Sequence, residues 1–223
     1  MARFQEVMQR LIVLRPSPSG MAAASNQEEE RLARHGSNFS AWYRGLDPQQ
    51  LFETKQTLNQ HLREVLSGFQ SLRFQKTGGS ERVLQTLWNA EVDSTTSQFE
   101  LGFDELSDGQ RMLVVLYTLL SLSAAGTPLT VLLDEPTNYV SLAEIEPWLG
   151  ELEEQTERGL LQVLIASHHP ELLNAWAATH GVRFSRRAAG PARAERFGSH
   201  EDDLLTPAER IARGWDDDGD AQG

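Results

Sequence analysis

Leu129-Thr130-Val131-Leu132-Leu133-Asp134-Glu135-Pro136 is a short apolar run that closes on two carboxylates and a proline. Continuous apolar runs of this length mark strands buried on both faces, the habit of parallel sheets. Residues 161–166, Leu-Gln-Val-Leu-Ile-Ala, give a second such strand. Between the two, residues 141–157 read as a helix, and Pro170 opens another. Strands that alternate with helices imply an α/β class with a parallel sheet.

Upstream the pattern changes. Residues 107 to about 123 form one long apolar helix. Residues 69–103 suggest short antiparallel strands, with Thr77-Gly78-Gly79-Ser80 as a turn. Asp47-Pro48-Gln49-Gln50 reads as a helix start: Asp as cap, Pro at the first position, Gln three residues after the cap, with Gly68 as the stop. Arg15-Pro16-Ser17-Pro18-Ser19-Gly20 breaks any regular element. Residues 21–37 look like a polar loop with at most a short helix, and the acidic tail 216–223 is expected to be disordered.

A chain of 223 residues can bury one good-sized core. The net charge of −12 repels phosphate backbones, so DNA is not indicated as a partner, although a local basic patch is not excluded. With no cysteine, disulfides and thiolate chemistry are ruled out. The longest apolar run, residues 112–122, is about half a membrane span. The expectation is a soluble cytoplasmic protein with no membrane partner.

Three segments carry chemistry. Ligands of open parallel sheets sit beyond the carboxyl ends of the strands, where Asp134 and Glu135 fall. One carboxylate there can hold Mg²⁺, and the next can orient or deprotonate an attacking water. The bland alternative is an acidic pair that merely ends a strand. In Glu105-Leu106-Ser107-Asp108-Gly109-Gln110-Arg111, Ser107 and Gln110 have the spacing of a capping box. Such helix starts bind phosphate, and Gly109 lets backbone come close to a ligand; an ordinary helix start would look the same. His168 follows the second buried strand and precedes a Pro-initiated helix, so it falls at the same sheet edge as Glu135. A lone histidine is usually not functional, but here it joins two other features. His169 reads as a cap or a solvent-facing residue.

Together these residues resemble the ATP-binding-cassette type of ATPase. Leu106 to Gln110 looks like the signature loop with Asp108 in place of a glycine, residues 129–135 look like Walker B, and His168 looks like the switch histidine. Leu-Ser-Asp-Gly-Gln-Arg, Asp-Glu-Pro-Thr-Asn-Tyr and Ser-His-His-Pro-Glu-Leu-Leu-Asn are closer to soluble AAA family ATPases related to RecF, SMC and OLD proteins than to transporter subunits. The likeness is strong from about residue 100 to 180. It continues more weakly through Arg15-Pro16, Ala41-Trp42 and residues 208–215. It implies the carboxyl-terminal portion of a P-loop NTPase sheet over residues 1–215. ATP and Mg²⁺ are the implied ligands, with Asp134 on the metal and Glu135 and His168 catalytic. Ser107, Gly109 and Gln110 would act on nucleotide held by a second head. Where many relatives carry an aspartate near Ser141, this chain has Thr-Asn-Tyr-Val-Ser.

One part is missing. A phosphate-cradling loop ends in Gly-Lys-Ser or Gly-Lys-Thr. The only lysines are Lys55 and Lys76, preceded by Thr54 and Gln75. The chain is therefore expected to need a Walker A-bearing polypeptide, to bind ATP very weakly alone, and to be poorly soluble because the strands at 129–133 and 161–166 would flank the missing P-loop strand. The alternative is a catalytically inactive truncated homologue that acts as an interaction or regulatory subunit of a complete ATPase. DNA repair or phage defence enters only through the family likeness.

Overall fold

The computed structural model describes residues 10–92, 95–186, 189–198 and 205–213. The tail 216–223, Trp215 and the acidic Glu201-Asp202-Asp203 lie outside these residues. The chain divides into two compact units, one running to Ala166 and one starting at Ser167. Among the described residues, no helix is long and apolar enough to cross a membrane.

The first unit contains a parallel sheet of three strands, β1 (Leu11–Leu14), β6 (Leu129–Asp134) and β7 (Leu161–Ala166), in the order β1-β6-β7. The expected parallel sheet is present, but its neighbours differ from the sequence reading. The apolar run at residues 11–14 is itself a strand, and it pairs with β6 from Leu11↔Thr130 to Leu14↔Leu133. Both edges of β6 are thus occupied, so only β7, not β6, is placed to flank a further strand. The expectation of burial on both faces also fails. Leu129, Val131 and Leu133 are buried while their neighbours on β6 are only half-buried. On β7, Leu164 is 55 % exposed. Alternation of this kind means that one face of the sheet is covered and the other open. Register puts Val13, Leu132 and Leu164 in one row across the open face.

The second sheet of this unit is antiparallel: β2 (Ala24–Ser25), β3 (Phe69–Gly78), β4 (Glu81–Val92) and β5 (Thr95–Gly102). The strands expected here are present but long, and β4 is shared by all of them. β3 lies along one edge, while β2 and β5 divide the other. Residues 21–37 contain β2 but no helix. The following helix α1 (Phe39–Arg44) stacks Phe39 on Phe103 at 5.1 Å and Tyr43 near Phe74 at 6.0 Å, and so joins the sheet's inner face. Burial pushes the Tyr43 phenol well above its ordinary range, so it stays neutral.

Helix α2 (Pro48–Val65) starts where the sequence placed it, with Asp47 accepting from the Gln49 amide at 3.0 Å. The capping box is incomplete. The Gln50 side chain instead donates to Thr127 Oγ1 at 3.1 Å. The helix also stops at Val65, short of Gly68, whose φ of +84° turns the chain into β3. Helix α3 (Asp108–Ala124) is buried continuously from Met112 to Ser123. A helix apolar all round must be enclosed, and α3 packs against α2 and against α4 (Leu142–Glu157).

The second unit comprises α5 (Pro170–His180), the hairpin of β8 (Val182–Arg186) and β9 (Ala192–Arg196), and α6 (Pro207–Arg213). Asn174 Oδ1 accepts from the Ala208 amide at 3.1 Å, and buried Arg210 lies 5.0 Å from the centre of the Phe197 ring. These contacts tie α6 to the rest of the unit.

The open row on the parallel sheet predicts self-association. Leu164→Glu should lower the apparent mass of the chain by size-exclusion chromatography with light scattering. It should change unfolding free energy by no more than about 0.5 kcal/mol, since the side chain is already exposed. A wild-type chain that is monodisperse and monomeric contradicts this expectation.

Candidate functional site

The parallel pairing of β6 carries two carboxylates to one rim. Asp134 is the last residue of the strand, in register with Ala166. Beyond it the chain turns sharply. Glu135 has a φ of +51°, the only positive φ at a non-glycine among the described residues. Its amide donates to the Ala166 carbonyl at 2.8 Å, so β7 holds the turn. An L-residue in this left-handed region is strained by about 1–2 kcal/mol. Such strain persists where surrounding structure imposes it, and it concentrates at functional sites.

Asp134 faces a cation from its neighbouring strand. Arg15, next after β1, places its Nε 3.5 Å from Asp134 Oδ2, with the two side chains 64 % and 42 % exposed. The carboxylate is thus accessible and already accommodates positive charge. Among the described residues no cluster of three or more carboxylates, imidazoles or thiolates could cage a metal. A single accessible carboxylate fits Mg²⁺, which binds through one or two carboxylates and keeps its other positions for phosphate and water.

The helix start of α3 is built as the sequence indicated. Ser107 Oγ accepts from the Gln110 amide at 3.2 Å, and Gln110 Oε1 accepts from the Ser107 amide at 3.0 Å. This capping box leaves the amides of Asp108 and Gly109, in the first turn, for an anion. Asp108 accepts from Arg111 at 2.9 Å, and Arg111 also donates to the Pro18 carbonyl at 2.7 Å. That arginine clips the loop after β1 to the start of α3.

Gly109 has a purpose that sequence alone did not show. A Cβ there would meet the Tyr139 carbonyl oxygen at 2.6 Å. The close approach is to the chain's own backbone, four residues beyond Glu135, and it brings the helix start against the run-out from the carboxylate pair. Tyr139 itself is 44 % exposed. The buried Thr137 between them has no hydrogen-bond partner for its hydroxyl.

His168 belongs to the second unit, two residues past the end of β7. It is exposed, and His169 after it is the N-cap of α5, as the Pro170 signal implied, although its side chain makes no capping bond.

Two substitutions separate the strain at the turn from the packing at the helix. Glu135→Gly should raise unfolding free energy by about 1 kcal/mol, because glycine adopts positive φ freely. Gly109→Ala should lower it by about 1–3 kcal/mol, because the Tyr139 carbonyl must move. Urea denaturation measures both, and a destabilised Glu135→Gly variant would show that the turn is not strained.

No curated protein matches the chain. A solved structure from work on ATP-driven dimerization and DNA-stimulated activation of SMC ATPases aligns with a TM-score of 0.49 at 14 % identity, over 77 % of this chain and 94 % of its own. The family described as "AAA domain, putative AbiEii toxin, Type IV TA system" matches residues 21–174, a stretch that takes in the capped start of α3, the carboxylate pair and His168. With well over half of its length covered by that match, the chain belongs to this family of AAA ATPase domains.

Proposed function

We propose that this chain supplies the metal-binding and water-activating half of an ATPase whose phosphate loop is carried by other polypeptide. The observation that carries the reading is the strained Glu135, held at φ +51° beside Asp134 at the carboxyl rim of the parallel sheet. A residue that only ended a strand would not need that conformation. In this reading Asp134 holds Mg²⁺, which neutralises phosphate charge when bound. Glu135 accepts the proton of the attacking water. The first turn of α3, with Ser107, Gly109 and Gln110, meets the terminal phosphate of nucleotide held by a second head, and so requires a dimer. His168 keeps the role that the family likeness implies for it, a contact to a terminal phosphate.

The sequence lacks the Gly-Lys-Ser/Thr of a phosphate loop. Calorimetry should therefore show no micromolar ATP binding by this chain alone. The family description, which names an AbiEii toxin and a Type IV TA system, supports a toxin–antitoxin setting for the assembled enzyme, and the net charge of −12 argues against a nucleic-acid groove on this chain.

The decisive variant is Glu135→Gln, assayed after this chain is combined with the Walker A-bearing polypeptide. Loss of a general base should slow hydrolysis by about 10²–10⁴-fold and leave ATP binding intact. Unchanged turnover would remove Glu135 from the mechanism.

A further inference from the structure

Arg15 is a charged group at this rim that the roles above leave unused. Its backbone is fixed. The amide donates to the Arg34 carbonyl at 2.8 Å, and its own carbonyl lies 2.9 Å from His35 Nδ1. Its side chain is not fixed in the same way: it is 64 % exposed, and Nε reaches Asp134 Oδ2 at 3.5 Å. The pair is not needed to hold β1, which the ladder from Leu11 to Leu14 already joins to β6. What the pair does is neutralise the carboxylate assigned to the metal.

Resting on the function proposed above, we propose that Arg15 is a guard and a positioning residue. It occupies Asp134 while the carboxylate has no metal, and it passes to a phosphate oxygen of the triphosphate once Asp134 takes the metal. One carboxylate oxygen cannot serve a guanidinium and a divalent ion equally well, so the two compete. A guanidinium is weakly hydrated and its planar fork matches phosphate geometry. An exposed ion pair at this distance is weak and screened by salt, which suits a contact that must release. The anchored backbone keeps the displaced side chain at the rim, where the phosphates arrive. Arg15 thus weakens metal binding and strengthens phosphate binding, two effects of opposite sign.

The test uses this chain with Mn²⁺ alone, read as paramagnetic broadening of the Leu133 and Glu135 amide resonances. Arg15→Gln and Arg15→Ala should each tighten Mn²⁺ at this site by roughly two- to fivefold, the range of an exposed ion pair. Arg15→Lys, which keeps the charge, should stay near wild type. Inorganic tripolyphosphate added to the Mn²⁺-loaded chain should bind Arg15→Gln more weakly by a similar factor. A purely structural role would move both affinities in one direction or move neither. If Asp134→Asn abolishes the broadening but Arg15→Gln matches wild type, the guard is overturned and the metal assignment stands. If Asp134→Asn leaves Mn²⁺ affinity unchanged, the metal assignment itself falls. If tripolyphosphate affinity does not drop in Arg15→Gln, the passage to phosphate is overturned.

Discussion

The site is organised by the parallel ladder on both sides of β6. Pairing with β1 brings Arg15 beside Asp134, and pairing with β7 presents the Ala166 carbonyl that holds the Glu135 turn. A slip of one residue in either register would part Asp134 and Glu135 from the neighbour that strand supplies. Side-chain chemistry at the rim is thus a consequence of backbone hydrogen bonding within the strands.

Helix α3 supplies the second constraint. It is enclosed along its whole middle, so its position is fixed by packing, and its start is pinned from two directions. Arg111 reaches the Pro18 carbonyl of the loop after β1, and Gly109 admits the Tyr139 carbonyl from the run-out after the carboxylates. The helix start therefore sits against the segment that runs out from the carboxylate pair.

The open row of Val13, Leu132 and Leu164 follows from the same ladder. Apolar side chains that would be covered in a sheet with helices on both faces stand here on an uncovered one. The chain balances a well-filled interior around α3 against an exposed sheet face, so its core is complete on one side of the parallel sheet alone.

Elements with strong local signals were legible from residue order. The capping box of Ser107 and Gln110, the Asp47 and Pro48 helix start, the strand ending at Asp134 and the helix opened by Pro170 all rest on contacts within a few residues, and each stands where the sequence put it. The family likeness was legible for the same reason, since its motifs are short and contiguous. What residue order could not show depends on partners far along the chain. The strand at Leu11–Leu14 has too few residues to declare itself without β6 beside it. Arg15 gains meaning only from a parallel pairing across more than a hundred residues. Gly109 is explained by a carbonyl thirty residues away, and Gln50 leaves its capping box for Thr127. Local geometry follows from nearby side chains competing for nearby backbone groups. Which strand neighbours which, and hence which charge faces which, is settled only when the whole chain buries its apolar surface at once.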